Sequence, residues 1–193
     1  NGSEVVTFTA TDNDGTHPMT GSDAATFTAT PVNDAPVFSS TAITSATEDA
    51  TYNYTVTARD IEDDPLTFAE TTTWPTWLNS LINNGDGTAS VSGTPTNDNV
   101  GNNSVVLTVT DGRTYGGEPK YIEQSFIITV ANVNDLPVFT STAVAAIEDA
   151  AYSYTVTASD DDGNTLTFAA TTLPTWLSFD GTATISGTPL NEH

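Results

Sequence analysis

The segment EDATYNYTVTARDIEDDPLTF, residues 48–68, returns as EDAAYSYTVTASDDDGNTLTF at residues 148–168. Within it, Tyr52, Tyr54 and Val56 alternate with polar residues, which is the pattern of a half-buried β-strand. Similar short runs follow, punctuated by Gly, Pro, Asn and Asp, and none keeps a helical period. About seven short strands in about 100 residues predict an all-β sandwich. The positions predicted to face its core are Tyr52, Tyr54, Val56, Ala58, Leu66, Phe68, Val105, Leu107, Val109, Phe126, Ile128 and Val130, with Tyr152, Tyr154, Val156, Ala158, Leu166 and Phe168 in the second copy.

Other motifs show that the recurrence covers most of the chain. VNDAPVF at residues 32–38 returns as VNDLPVF at residues 133–139. PTWL and SGTP, which lie within residues 75–95, return in the same order within residues 174–189 with a shorter segment between them. The chain is therefore built from a repeating unit of about 100 residues.

The first residues match the end of a repeat, because EVVTFTATD (4–12) corresponds to SVVLTVTD (104–111). We therefore predict tandem seven-stranded sandwiches, one whole and one split across the two termini. The predicted segments are residues 1–34, the last two strands of a repeat; residues 35–135, a complete repeat; and residues 136–193, the first two thirds of a repeat.

The two ends read as adjacent parts of one repeat. The interval from Pro95 to Val105 is ten residues, and the interval from Pro189 through the end of the chain back to Val6 is also ten. We expect residues 136–193 to be completed by another copy of residues 1–34. A covalent continuation of the chain and strand complementation between separate chains both remain open.

Composition limits the partners. The 193 residues include 25 acidic and 3 basic ones, giving a formal net charge of −22. Nucleic acids and anionic membrane surfaces require Lys and Arg, so neither is an expected partner. No apolar run approaches the roughly 20 residues of a membrane span, so membrane insertion is not expected either. The absence of cysteine excludes disulfides and zinc–thiolate sites.

The motifs EDATYNYTVTARDIEDDPLTF, PTWL, SGTP, VTDG and VNDAPVF, taken together, resemble the dystroglycan-type cadherin-like and immunoglobulin-like domains of large bacterial surface proteins. The resemblance implies a calcium-stiffened sandwich in a tandem array at the cell surface or outside the cell. We therefore expect a bacterial structural or adhesive protein that forms a stalk or head-to-tail filament. The alternative that the resemblance leaves open is a carbohydrate-binding module of a secreted polysaccharide-degrading system.

Acidic residues cluster around both VND linkers, and Ca²⁺ prefers six to eight oxygen ligands. If successive sandwiches stack end to end, two candidate groups form. The first is Asp12, Asn33, Asp34, Asp60 and Glu62, and the second is Asp111, Asn134, Asp135, Asp160 and Asp162. Secondary candidates, placed like the early glutamate of cadherins, are Glu48, Asp49, Glu148 and Asp149. Turn formation by Asp and Asn is the competing explanation for these residues.

Aromatic residues supply a separate hypothesis. Trp77 and Trp176 occupy the same place in both repeats, which favours a core role. Trp74 is not shared by the second repeat and, with Tyr115 and Tyr121, is the candidate sugar-stacking surface.

No catalytic residue is predicted. A nucleophile requires a positioned base, and neither His17 nor His193 has a partner pattern nearby. The sequence is therefore not expected to encode an enzyme.

Overall fold

The computed structural model describes residues 2–29, 32–112 and 120–190. Apart from a 3₁₀ turn at Asn97–Asn99, the regular structure of these residues is β, which confirms the all-β prediction. The strands are β1 (Ser3–Thr11), β2 (Thr20–Thr28), β3 (Val37–Phe38), β4 (Ser45–Thr47), β5 (Tyr52–Arg59), β6 (Thr67–Glu70), β7 (Ile82–Asn83), β8 (Thr88–Gly93), β9 (Gly101–Thr110), β10 (Tyr121–Ala131), β11 (Val138–Phe139), β12 (Tyr152–Thr155), β13 (Ala158–Ser159), β14 (Leu177–Phe179) and β15 (Thr184–Gly187).

The chain divides into two compact units. The first comprises Asn1–Thr44, Asn53–Gly93 and Ser104–Ile127, and the second comprises Ser45–Tyr52, Thr94–Asn103 and Ile128–His193. The repeat boundaries predicted from the sequence remain a prediction.

The first unit contains the antiparallel hairpin β1–β2 and a sheet in the order β3-β5-β8-β7. In the same unit, β6 pairs antiparallel with the last residues of β9. Alternate residues of β5 and β9 are buried, including Val56, Val105 and Leu107, which have no exposed surface. The period-two pattern therefore located the core face correctly.

The second unit contains the sheet β12-β15-β14, the short pair β11–β13 and a parallel pairing of β4 with the end of β10. Tyr152, Tyr154 and Phe168 are half-buried here. The ring of Tyr152 meets Trp176 edge-on, with centroids 5.7 Å apart.

The described part of residues 35–135 has eight strands, not the predicted seven. Two of these strands are short pieces: β3 pairs antiparallel with β5, whereas β4 pairs parallel with β10. The two short pieces count as separate strands because they have different partners.

Candidate metal centres

Three carboxylates converge beside the linker that follows β10. Glu48, Asp135 and Asp162 each place one carboxylate oxygen within 4.8 Å of the others. Glu48 is buried, and its Oε2 accepts a hydrogen bond from the Val133 backbone N–H at 2.9 Å. Asp162 accepts from the Asp135 backbone N–H at 2.7 Å and from Asn132 Nδ2 at 2.7 Å. These bonds therefore hold the Glu48 and Asp162 carboxylates against the linker that carries Asp135.

This convergence is electrostatically unfavourable without a cation. Desolvation raises the pKa of Asp135, and the negative charges of Glu48 and Asp162 raise it further, as do Asp49 and Asp161. A shifted pKa of this kind reports that the ionised form lacks a compensating positive charge. A bound divalent cation would supply that charge.

Other members of the second predicted group have local roles. Asp160 Oδ1 accepts from the backbone and side-chain nitrogens of Asn164, both at 3.1 Å. Asn134 Nδ2 donates to the Asp135 carbonyl oxygen at 2.9 Å. These contacts fit the turn and loop chemistry that the sequence left as an alternative.

Asp49 and Asp149 also have backbone roles. Their φ angles are 57° and 59°, a left-handed conformation that Asp tolerates better than most residues. Their backbone N–H groups donate to the carbonyl oxygens of Pro95 and Pro189, each at 2.9 Å. Glu148, like Asp149, is exposed.

One contact of the second linker recurs at the first linker. The Asp34 backbone N–H donates to Glu62 Oε2 at 3.3 Å, as Asp135 does to Asp162. Asp60 is buried, with 9% of its surface exposed. Its Oδ1 accepts from the backbone N–H of Glu62 at 2.9 Å, whereas its Oδ2 is buried and has no hydrogen-bond partner among the described residues.

Asp111 corrects the sequence grouping. It was expected with Asn134 and Asp135, but its Oδ2 instead accepts a 2.7 Å hydrogen bond from Asn33 Nδ2, and both residues are buried. Asp111 directly follows β9, and its backbone N–H donates to the Lys120 carbonyl oxygen at 3.3 Å, one residue before β10 begins. The end of β9 therefore meets the linker that precedes the repeat.

Lys120 contacts the first linker, and Asp12 has its partner within the β1–β2 hairpin. Lys120 Nζ donates to the Asn33 carbonyl oxygen at 2.6 Å, a contact that sequence reasoning missed. Asp12 is exposed and exchanges hydrogen bonds with Met19: its N–H donates to the Met19 carbonyl at 2.9 Å, and its Oδ1 accepts from the Met19 N–H at 3.0 Å. These contacts place Asp12 at the loop end of the hairpin, where β1 leads into the turn before β2.

The aromatic candidates differ in burial and in their contacts. Trp77 is buried, which confirms its core role. Trp74 is half-buried and its Nε1 donates to the Asn79 carbonyl oxygen at 3.2 Å, while Tyr121 is 65% exposed. Tyr115 lies outside the described residues. A sugar-binding role for Trp74, Tyr115 and Tyr121 therefore stays a prediction.

Comparisons with known proteins agree with this architecture. Residues 33–117 match the family described as "Bacterial Ig domain", and residues 136–192 match the family described as "Putative Ig domain". The chain carries cadherin/immunoglobulin-like repeat domains. Such domains are generally non-catalytic, they suit an adhesive or structural role, and the bacterial ones usually belong to extracellular or surface proteins.

Solved cadherin fragments share the fold. Human CDH23 EC21-23 is 20% identical, with a TM-score of 0.54 over 84% of this chain and 59% of that one. Mouse cadherin-23 EC22-24 is 19% identical, with a TM-score of 0.52 over 96% of this chain and 64% of that one.

An endo-fucoidan hydrolase from glycoside hydrolase family 107 is 26% identical, with a TM-score of 0.46 over 98% of this chain. The chain spans 30% of the length of that hydrolase chain. No curated protein matches the chain significantly. Within residues 2–29, 32–112 and 120–190, no helix has the length and apolar character needed to cross a membrane.

Proposed function

We propose that both VND linkers bind Ca²⁺ and that the bound ions stiffen an extracellular stalk or filament built from these sandwiches. The observation that carries the proposal is the convergence of Glu48, Asp135 and Asp162, whose carboxylate oxygens lie within 4.8 Å of one another. Only 3 basic residues accompany 25 acidic ones, so the chain itself has few cations to neutralise such clusters.

The ligand chemistry suits calcium. Ca²⁺ accepts six to eight oxygen ligands in flexible geometry, including monodentate and bidentate carboxylates and backbone carbonyls. Glu48, Asp135 and Asp162 offer oxygens of this kind, and no cysteine is present to favour softer metals. At the first linker, the buried Asp60 Oδ2 is an acceptor whose burial is costly unless a hydrogen bond or an ion compensates it.

The proposed mechanism is mechanical. Glu48 already holds the Val133 N–H, and Asp162 already holds the Asp135 N–H. An ion shared by these carboxylates would join residues before, within and after the linker. Bending the linker would then require breaking metal–oxygen bonds as well as two hydrogen bonds.

Calorimetric titration of chelated protein with Ca²⁺ tests the proposal. We expect Asp162→Asn to lower the affinity for Ca²⁺ at the second linker by on the order of tenfold, and Asp60→Asn to do the same at the first linker. Each substitution removes the negative charge of one ligand. Asp14→Asn is the matched control, since Asp14 lies in an exposed turn where it accepts from Thr16 Oγ1 at 3.0 Å. Titrations without binding, or with equal affinity in all variants, would refute the proposal.

A further inference from the structure

Lys120 places one of the few positive charges of the chain at the first linker, residues 32–34. The sequence has only 3 basic residues against 25 acidic ones. The Lys120 ammonium donates to the Asn33 carbonyl oxygen at 2.6 Å. The side chain of Asn33 in turn donates to the carboxylate of Asp111 at 2.7 Å, and both of these residues are buried. The ammonium therefore contacts a residue of the first candidate calcium group.

Backbone contacts fix the point from which the Lys120 side chain starts. The Lys120 carbonyl oxygen accepts from the Asp111 N–H at 3.3 Å and from Thr110 Oγ1 at 3.0 Å. The Lys120 N–H donates to Asp111 Oδ1 at 3.4 Å. Lys120 is thus held beside Asp111 by its own backbone, and its side chain reaches from there to the linker.

The β1–β2 hairpin has the same backbone contact without the positive charge. The Asp12 N–H donates to the Met19 carbonyl oxygen at 2.9 Å, as the Asp111 N–H does to that of Lys120. Met19 directly precedes β2, as Lys120 directly precedes β10. Since a neutral side chain serves at this position in the hairpin, the backbone arrangement does not require lysine. The charge of Lys120 therefore calls for an explanation of its own.

The second linker differs from the first in its charge balance. In the part of the chain that the structure describes, Glu48 and Asp162 accept hydrogen bonds from neutral donors, namely the N–H groups of Val133 and Asp135 and the amide of Asn132. Desolvation raises the pKa of Asp135, and the charges of Glu48 and Asp162 raise it further. The negative charge of the second linker is therefore not offset by a basic side chain among the described residues.

We propose that Lys120 is a built-in cation of the first linker, which partly neutralises this linker in the absence of metal and lowers its affinity for Ca²⁺. The second half of the inference rests on the proposed calcium function. A positive charge beside a bound cation repels it, and calcium affinity depends on the net charge of the ligand set. Lys120 would therefore make the first linker less dependent on calcium than the second.

Thermal unfolding in the presence of a chelator tests the neutralising role without any metal. We expect Lys120→Met to lower the melting temperature by on the order of a few degrees, because the contact is partly exposed to solvent. Lys120→Arg is the control and should melt like the wild type, since it keeps the charge. High sodium chloride should shrink the difference by screening. An unchanged melting temperature for Lys120→Met, or a loss that salt leaves undiminished, would overturn this role.

Calorimetric titration of chelated protein with Ca²⁺ tests the effect on affinity. The titration is made with Asp162→Asn present, so that binding at the first linker is resolved from the weakened second linker. We expect Lys120→Met to raise the affinity of the first linker several-fold and Lys120→Arg to leave it unchanged. With Asp60→Asn present instead, Lys120→Met should not change the affinity of the second linker.

The outcomes distinguish this inference from the proposed function. Calcium binding with the same affinities in Lys120→Met and wild type would refute the effect of Lys120 and leave the proposed function standing. Equal tightening by Lys120→Met and Lys120→Arg would also refute it, because charge would then not be the cause. An absence of calcium binding in every variant would refute the proposed function and the affinity effect together, and the chelator experiment would still decide whether Lys120 neutralises the linker.

Discussion

At the scale of single residues, the SGTP motif is explained by a close backbone approach. A Cβ added to Gly93 would overlap the Trp77 carbonyl oxygen and lie 3.0 Å from Leu78 Cα, and a Cβ on Gly187 would overlap the Trp176 carbonyl oxygen. Neither glycine has a positive φ, so space and not backbone conformation requires glycine here. PTWL and SGTP recur together because their backbones touch.

We predict that Gly93→Ala destabilises the protein by about 1–3 kcal/mol, the usual cost of forcing extra volume into a packed region. Thermal unfolding measures the effect. Gly21→Ala should be close to neutral, because nothing lies within 4 Å of the added Cβ and Gly21 lacks a positive φ. Equal melting temperatures for Gly93→Ala and wild type would contradict the steric explanation.

At the scale of elements, the β14–β15 turn is organised by one carboxylate. Asp180 Oδ1 accepts from the backbone N–H groups of Thr182 at 2.8 Å, Ala183 at 3.1 Å and Thr184 at 3.1 Å. These bonds stabilise the ionised form and lower the pKa of Asp180 to about 2. In the complete repeat, residues 35–135, hydrogen bonds from Thr88 likewise lower the pKa of Asp86.

The Asp180 turn predicts a definite pH dependence. The pKa of Asp180 in the folded protein, about 2, lies below the ordinary value of 3.8. The contribution of this carboxylate to folding stability is therefore complete above pH 3.8 and is lost as the pH falls through about 2. The destabilisation caused by Asp180→Ala should therefore be largest near neutral pH and vanish in strong acid. NMR titration of the Asp180 carboxyl checks the cause directly, and a midpoint near 3.8 would contradict it.

Local pattern predicted some elements and could not predict others. Alternation identified β5 and β9 and their buried faces, because a period of two is visible in any short window. The sequence treated Glu48 as a secondary candidate, yet its carboxylate lies beside those of Asp135 and Asp162. The parallel pairing of Thr47 with Ala131 carries Glu48 to the linker, and a pairing between residues so far apart leaves no mark in local periodicity.

Asp111 shows the same limit. The sequence showed that Asp111 is acidic and follows a strand. Its partner, however, depends on the end of the sandwich at which β9 finishes. That position places it with Asn33.

At the scale of the whole molecule, the net charge and the repeat architecture both support the proposed calcium-dependent structural role. A net charge of −22 opposes compaction through self-repulsion, and both linkers concentrate that charge in small groups. Cadherin/immunoglobulin-like repeats suit a structural or adhesive role, and cations at the linkers would reduce the repulsion where repeats meet. Calcium would then act on stability and stiffness together.

The melting temperature of chelated protein, measured before and after adding Ca²⁺, tests the calcium proposal most directly. A ligand that binds only the folded state at about 100 times its Kd adds about 2.7 kcal/mol, which for domains of this size raises the melting temperature by roughly ten degrees or more. Sodium chloride at equal ionic strength controls for screening of the net charge. We predict a rise with Ca²⁺ well beyond that control, reduced in Asp162→Asn; an unchanged melting temperature would contradict calcium binding at the linkers.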